Sequence, residues 1–273
     1  MSDSDDATGL EVRGLSVRYG GHLAVDGVNL TAPVGRLTGL IGPNGAGKTS
    51  IFNACSGLLR PSDGRVLLFG EDVTRRSPAA RARCGLGRTF QRMELFGSMT
   101  VAENLTVGRE AGLAGSNPLR QLTGGRRERR AVRAAVVEAL EVCGINDLAD
   151  RPAGSLSTGQ RRLVELARAY AGDYRLLLLD EPSSGLDRTE SERFGQILQS
   201  IVAERGIGIL LVEHDMVLVM STCEYLFVVD FGCLIFEGTP AETGASDLVR
   251  AAYLGEEEIG ELVGSTGHEE AGR

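Results

Sequence analysis

The sequence predicts an α/β fold in which a parallel β-sheet forms the core, with an N-terminal antiparallel β subdomain and an inserted α-helical subdomain. Continuous apolar runs are the first observation, because strands buried on both faces of a parallel sheet have this pattern; the runs are 176–180 and 207–212. Residues 36–41 fit a further short buried strand, and a glycine-rich segment after them leads into a helical pattern at 49–57. Residues 92–155 then change to helical patterns around a polar, arginine-rich break.

Short antiparallel strands are expected in the first 70 residues. Residues 10–19 partly alternate between apolar and polar side chains, and a glycine pair after them marks a turn. A second strand fits 24–32, and a third fits 64–70 after a turn that contains proline and glycine. We expect these strands to form a small sheet attached to the parallel core.

The helical subdomain is predicted from periodicity. Between 131 and 144, apolar residues recur every three or four positions, which is the spacing of one helix face; they are Val132, Val136, Ala139, Leu140 and Cys143. Gly144 ends this helix, and a shorter helix is expected at 77–83. The arginine run over 120–133 has two interpretations, a solvated helix start or a patch that faces anionic lipid or an acidic partner.

Composition and charge limit the classes of function. The chain has 273 residues, of which 42% are hydrophobic, enough for a substantial core. Its formal net charge of −8 argues against a nucleic-acid partner. The five scattered cysteines are expected to be buried, reduced thiols. No apolar run reaches the roughly 18 residues that span a bilayer, so we expect any work at a membrane to depend on a partner.

The glycine-rich segment fits the phosphate-binding loop pattern G-x-x-x-x-G-K-[ST] at every fixed position. It consists of Gly42, Pro43, Asn44, Gly45, Ala46, Gly47, Lys48 and Thr49, and Ser50 follows. Glycines let the backbone fold so that N–H groups point at phosphates, Lys48 adds a mobile cation, and the Thr49 hydroxyl suits Mg²⁺. A glycine-rich turn with a chance lysine is the alternative. The preceding strand and following helix argue against it, because they put a phosphate at a helix N-terminus.

A second motif, formed by Asp180 and Glu181, narrows the range of reactions that a phosphate loop allows. Asp180 ends a buried apolar run, where it can bind Mg²⁺ through a water opposite Thr49. Glu181 comes next, and a carboxylate there can orient, or take a proton from, the water that attacks a γ-phosphorus. Two surface carboxylates in a loop are the alternative interpretation, which fits poorly beside Lys48 and Pro182.

With these motifs in this order, the chain resembles the ATP-binding subunits of ABC transporters over nearly all of residues 10–255. The resemblance implies a RecA-like P-loop NTPase core and the cofactors ATP and Mg²⁺. It implies that Tyr19 stacks on adenine with Val25 as an apolar contact beside it, although Tyr19 alone also fits an ordinary strand aromatic. Gln91 matches the glutamine loop, whose amide would touch Mg²⁺ or the attacking water.

The family's signature loop is matched by the segment after Leu156. Ser157, Thr158, Gly159 and Gln160 stand where the family usually has Ser-Gly-Gly-Gln. The resemblance implies that Ser157 and the Gly159 amide bind the γ-phosphate held by the opposite subunit, at the start of a helix predicted over 160–170. Thr158 departs from the pattern and adds a side chain close to the docking phosphate.

Two further segments complete the resemblance. Residues 183–187 match the D-loop, which communicates across a dimer, and Asp187 is a candidate residue of the nucleotide site. His214 matches the switch histidine, which would contact the γ-phosphate and position the water of Glu181, although a lone histidine is more often structural. One chain carries one phosphate loop and one signature loop. The resemblance therefore implies a head-to-tail homodimer or heterodimer that encloses two ATP molecules.

The domain division follows from the same resemblance. We expect an ABC ATPase domain over 10–255, made of a core of 10–91 and 161–240 and a helical subdomain of about 92–160. Polar tails at 1–9 and 256–273 flank this domain.

Residues 87–105 and 251–255 resemble a narrower group, the branched-chain amino acid importers of the Liv type. This resemblance implies permease subunits, contacted near 92–95, a substrate-binding protein acting indirectly, and a place at the cytoplasmic face of the membrane. Urea and amide importers use similar ATPases. A soluble ABC ATPase, such as one in iron–sulfur cluster assembly, and a regulatory ATP-binding module without turnover are further alternatives. Glu181 and His214 together argue against the last.

Overall fold

The computed structural model describes residues 9–89, 95–114 and 126–253. The described residues form two β-sheets. The strands are β1 (Leu10–Tyr19), β2 (His22–Ala32), β3 (Leu37–Ile41), β4 (Asp63–Leu68), β5 (Glu71–Asp72), β6 (Leu86–Arg88), β7 (Leu176–Asp180), β8 (Gly208–Val212), β9 (Tyr225–Asp230) and β10 (Cys233–Gly238). The predicted strands are confirmed, with ends that move by a few residues.

The helices lie between these strands and after them. They are α1 (Lys48–Ser56), α2 (Pro78–Arg83), α3 (Val101–Ala114), α4 (Arg126–Val142), α5 (Thr158–Ala171), α6 (Arg188–Arg205), α7 (Met216–Thr222), α8 (Pro240–Ala245) and α9 (Asp247–Ala252). Among the described residues, no helix is both long and apolar enough to cross a membrane.

The larger sheet has the strand order β10-β9-β3-β8-β7-β6. Its strands β9, β3, β8, β7 and β6 run parallel, and β10 pairs antiparallel with β9 at the edge. The smaller sheet is antiparallel, with the order β2-β1-β4-β5. The predicted fold class, a parallel core with an antiparallel sheet attached, is therefore confirmed.

Side chains of the central strands alternate between the two faces of the sheet, and this alternation produces the two packed layers of the fold. Every residue of β3, β7 and β8 is buried, as expected for strands covered on both faces. Leu177 and Leu179 pack into the layer that includes α5 and α6, whereas Leu176 and Leu178 pack towards α1 and the antiparallel sheet. Because successive side chains point to opposite faces, five residues of sequence supply both layers. The carboxyl ends of these strands meet at one edge, where the site lies.

Helix α4 of the predicted helical subdomain begins earlier than periodicity predicts. α4 starts at Arg126 and not at 131, and α5, which packs against α3 and α4, starts at Thr158. The predicted apolar face is confirmed, since its four residues in α4 and Cys143 directly after the helix are all buried. The arginines of the first turns are exposed, and they are Arg126, Arg127, Arg129, Arg130 and Arg133. Arg120 lies outside the described residues, and the subdomain boundaries stay a prediction.

The expectation of buried cysteines is correct for three of the five. Cys55, Cys143 and Cys223 are buried, and burial raises the pKa of each of these thiols to about 12. Cys84 is half-buried and Cys233 is exposed, because Cys233 opens the edge strand β10. All five are free thiols.

Candidate functional site

The phosphate loop connects β3 to α1, and its glycines have backbone angles that other residues rarely adopt. Gly42, Gly45 and Gly47 have φ values of 153°, 81° and 100°. A Cβ atom on Gly42 would collide with the carbonyl of Val229, and one on Gly47 would lie 2.7 Å from the carbonyl oxygen of Ala24. The loop therefore requires glycine at these two positions for space as well as for backbone angle.

Lys48 lies folded over the loop. Only 6% of the residue is exposed, and its Nζ donates hydrogen bonds to the carbonyl oxygens of Gly42 and, at 2.9 Å, Pro43. Helix α1 begins at Lys48, and its N-cap Gly47 makes no side-chain cap hydrogen bond. The loop therefore combines a helix N-terminus with a nearby ammonium group, and a helix N-terminus favours the binding of phosphate.

The turn between β9 and β10 supports the loop. The Gly232 N–H donates to the carbonyl of Ala46 at 3.0 Å, and the Asp26 N–H donates to the carbonyl of Gly232 at 2.8 Å. These bonds join the loop to both β-sheets.

The predicted adenine contacts lie on either side of this loop. Tyr19 is 50% exposed at the end of β1, and its hydroxyl lies 3.3 Å from the Ser50 hydroxyl on α1. Val25 is fully buried, and its side chain lies beneath Gly47. The stacking of Tyr19 on a bound base and the contact of Val25 with it both stay predictions. Thr49 is exposed in the first turn of α1.

Asp180 is a buried carboxylate at the end of β7. Its Oδ2 atom lies 3.2 Å from Nη2 of Arg88, which ends the neighbouring strand β6. Burial raises the pKa of Asp180, and the positive charge of Arg88 offsets part of that rise. The pair lies at the edge of the sheet where the carboxyl ends of the strands meet, and sequence reasoning did not find Arg88.

Glu181 and His214 meet at the ends of adjacent strands. Asp180 pairs with Val212 in the β7–β8 ladder, and the Glu181 N–H donates to the Val212 carbonyl at 2.8 Å. Glu181 has a left-handed φ of 47°, and His214 Nε2 lies 2.6 Å from Glu181 Oε1. A non-glycine residue held in this region is strained, which is a feature of functional positions. The two residues predicted to handle water are therefore hydrogen-bonded to each other.

Glu213 is a second residue that sequence reasoning missed. It is 3% exposed, and its carboxylate accepts hydrogen bonds from the N–H groups of Ser183 at 2.7 Å and His214 at 3.0 Å. Burial raises the pKa of Glu213. The side chain joins the segment after Glu181 to the segment of His214. The sequence held a signal for Glu213, because an acidic residue that directly follows a fully buried strand is a candidate for joining the segments of a site.

The predicted signature segment forms the N-terminus of α5. Ser157 is the N-cap, and a capping box joins it to Gln160 through hydrogen bonds of 3.2 and 3.1 Å. Gly159 is buried against the carboxylate of Glu190, where a Cβ atom would collide. Thr158 is half-buried with its methyl group next to Gly185. The segment therefore packs against residues 183–187 and the start of α6 in the same chain.

Asp187 is the N-cap of α6. It forms a capping box with Glu190 through hydrogen bonds of 2.8 and 3.2 Å. A role of Asp187 at a nucleotide stays a prediction. Gln91 and residues 92–94 of the expected permease contact lie outside the described residues, whereas Leu95 is half-buried.

Comparison with known proteins defines the class of this chain. The family model described as "ABC transporter" matches residues 25–184, around the phosphate loop, Asp180 and Glu181. The chain belongs to the ABC transporter family and is one of its ATP-hydrolysing subunits. The resemblance seen in the sequence is thus confirmed.

Relatives named for branched-chain amino acid transport match the chain over most of its length. The ATP-binding protein BraF of Pseudomonas aeruginosa is 40% identical over 250 residues, which cover 90% of this chain and 98% of BraF. LivG of Escherichia coli K12 is 37% identical over 249 residues, with the same coverage. The lipopolysaccharide export protein LptB of Haemophilus influenzae is 33% identical, and the match covers 91% of this chain and 98% of LptB.

Solved structures agree with this fold. The ADP conformation of MJ1267, an ATP-binding cassette of an ABC transporter, superposes with a TM-score of 0.80 at 32% identity. That match covers 91% of this chain and 99% of MJ1267. CbiO1 of Clostridium perfringens, part of a cbiONQ transporter complex, gives a TM-score of 0.76 at 30% identity, covering 94% of this chain and 99% of CbiO1.

Proposed function

We propose that this chain is the ATPase subunit of an importer for branched-chain or related amino acids. It works at the cytoplasmic face of the membrane, bound to permease subunits that receive substrate from a binding protein. The observation that carries the proposal is the similarity to BraF and LivG, since 98% of each of those proteins is matched. The Liv-type features at 87–105 and 251–255 give further support.

The chemistry is ATP hydrolysis at the edge of the parallel sheet. The loop N–H groups, the start of α1 and Lys48 bind the β- and γ-phosphates, and Tyr19 stacks on adenine. Glu181 orients the attacking water and accepts its proton, and His214 holds Glu181 in place through their 2.6 Å hydrogen bond. Gln91 is assigned the role of joining this site to the helical subdomain.

The residues present also suit a magnesium ion. The Thr49 hydroxyl and the Asp180 carboxylate are hard oxygen donors, and Mg²⁺ is commonly held by few protein ligands together with phosphates and waters. When bound, the ion would neutralise charge on the phosphates. Gln91 is the further candidate ligand that the sequence suggests.

We further infer that a second ATPase subunit completes the site. The signature segment of one subunit caps the ATP held by the loop of the other, through Ser157, Thr158, Gly159 and Gln160, with Asp187 near the contact. The exposed position of Ser157 at the N-terminus of α5 supports this arrangement, because a helix N-terminus favours an anion. The partner is a second copy or a paralogue.

Uptake in the source organism tests the transported substrate. The gene is deleted and replaced by the parent sequence, by Lys48→Ala, or by Arg36→Ala as an exposed control. We expect uptake of radiolabelled leucine to be lost on deletion and restored by the parent and by Arg36→Ala, but not by Lys48→Ala. The protein should copurify with membranes only when the permease is present.

Other outcomes would redirect the assignment. Normal leucine uptake with lost uptake of urea or an amide would assign the chain to that importer type. Normal uptake of all of them, with less lipopolysaccharide at the cell surface, would favour an export role like that named for LptB. A chain that stays in the soluble fraction would favour a soluble ABC ATPase.

A further inference from the structure

Arg88 connects the metal-side carboxylate to the helix that follows the phosphate loop. Its Nη2 pairs with Oδ2 of Asp180 at 3.2 Å, and the side chains of the two residues are only 11% and 5% exposed. Its Nη1 donates hydrogen bonds to the Asn53 side-chain oxygen at 2.8 Å and to the Ser56 hydroxyl at 2.6 Å. The guanidinium carbon also lies 4.9 Å from the centre of the Phe52 ring. One side chain thus contacts three residues of α1 and one residue of β7.

Stability alone is a poor reason for this arrangement. Burying an ion pair costs desolvation of both charges, and burial indeed lowers the pKa of Arg88. Apolar side chains of similar size would fill the same space at lower cost. The planar guanidinium does what an apolar group cannot, because it fixes the direction of a carboxylate and of two further oxygens at once.

We propose that Arg88 is a positioning residue for Asp180. It holds the carboxylate through Oδ2 and ties it to α1, the helix that begins with Lys48 and Thr49, so that Oδ1 can face a metal-bound water. The proposal rests on the magnesium role assigned to Asp180 under the proposed function. Carboxylates that serve metals commonly need such supporting partners, and loss of one costs about 10- to 100-fold in metal affinity or activity.

Metal binding measured apart from turnover tests the proposal. The full chain is prepared as the parent and as Arg88→Met, and Mn²⁺ is titrated into each ADP complex and followed by electron paramagnetic resonance. We expect Arg88→Met to weaken Mn²⁺ binding by about 10-fold or more, while ADP binding in EDTA stays within about twofold of the parent, a difference below 1 kcal/mol. Arg88→Lys keeps the positive charge but lacks the planar, two-pronged guanidinium. Its Mn²⁺ affinity should therefore lie between those of the parent and Arg88→Met.

Arg205 provides a matched control away from the site. It pairs with Glu138 at 2.6 Å and its guanidinium carbon lies 4.1 Å from the centre of the Tyr170 ring, so it combines the same kinds of contact. Arg205→Met should lower the thermal unfolding midpoint but leave Mn²⁺ affinity at the parent value. If Arg88→Met does not fold, Asn53→Ala serves instead, since it removes one anchor of the guanidinium and should shift Mn²⁺ affinity in the same direction.

Three results would overturn the proposal. Parent-like Mn²⁺ affinity in Arg88→Met, or in both Arg88→Lys and Asn53→Ala, would reduce Arg88 to a structural residue. An equal loss in Arg205→Met would attribute the effect to general destabilisation. Asp180→Asn tests the metal role of Asp180 separately from the positioning role of Arg88, because it must weaken Mn²⁺ binding if Asp180 serves the metal. If it does not, the metal role itself fails, and the role of Arg88 fails with it.

Discussion

Individual backbone angles determine the shape of the phosphate loop. Gly45 and Gly47 both have positive φ, but they differ in surroundings: an added Cβ on Gly45 would meet nothing within 4 Å, whereas one on Gly47 would press on the carbonyl of Ala24. Two positions of the same loop thus separate two costs: Gly45 shows conformational strain alone, and Gly47 shows strain together with steric exclusion.

This difference predicts unequal effects of two alanine substitutions. Gly45→Ala should cost only strain, about 1–2 kcal/mol of unfolding free energy. Gly47→Ala should cost more and should weaken ATP binding by at least about tenfold relative to Gly45→Ala, a difference of 1.4 kcal/mol or more. Urea unfolding and ATP titration measure both quantities. Equal effects of the two variants would show that the contact with Ala24 does not limit the loop.

Single residues were predictable where a local pattern carries the chemistry. Lys48 lies at the end of a glycine-rich loop and Asp180 ends a buried strand, so each is marked by its neighbours, whereas His214 was identified through the family resemblance. Arg88 gave no such signal, because its partner Asp180 lies 92 positions away. Pairing between β6 and β7 brings them together, and that pairing was not readable from the sequence.

At the scale of elements, capping residues define where the functional helices begin. Capping boxes start α5, α6 and α8 at Ser157, Asp187 and Thr239. Two of these boxes lie in segments assigned to the nucleotide site, whereas Thr239 follows the edge strand β10. The same local geometry therefore occurs with and without an assigned function.

That contrast gives a prediction for two caps. Ser157→Ala and Thr239→Ala should each lower the free energy of unfolding by about 1 kcal/mol, because each removes a side-chain acceptor at a helix start. Only Ser157→Ala should also lower ATPase activity, since its hydroxyl is assigned to the partner's γ-phosphate. Steady-state ATPase assays of both variants, beside urea unfolding, test this. Equal activity in the two variants would leave Ser157 as a cap alone.

The start of α4 shows why element boundaries were less predictable than element types. Its first turns carry five arginines, which are unfavourable near the positive end of a helix dipole and supply no apolar period. The periodic signal therefore begins only at Val132, six residues after Arg126 starts the helix.

At the scale of the whole molecule, a single chain carries one nucleotide-binding edge of the parallel sheet and one signature segment. The sequence predicted the class of fold and the phosphate loop from local patterns, whereas the signature segment was identified through the family resemblance. It did not predict that β3 lies between β8 and β9, since strand order depends on contacts across the whole chain. The central claim at this scale is that the site becomes complete only when two ATPase subunits close on ATP.

Sedimentation of Glu181→Gln with and without ATP and Mg²⁺ tests that claim most directly. The substitution keeps the size of the side chain and removes the proposed base, so ATP should bind and persist. We predict a monomer without nucleotide and a dimer with ATP, formed by two copies or with the second ATPase subunit of its transporter. A variant that binds ATP yet stays monomeric, both alone and mixed with that subunit, would contradict the account.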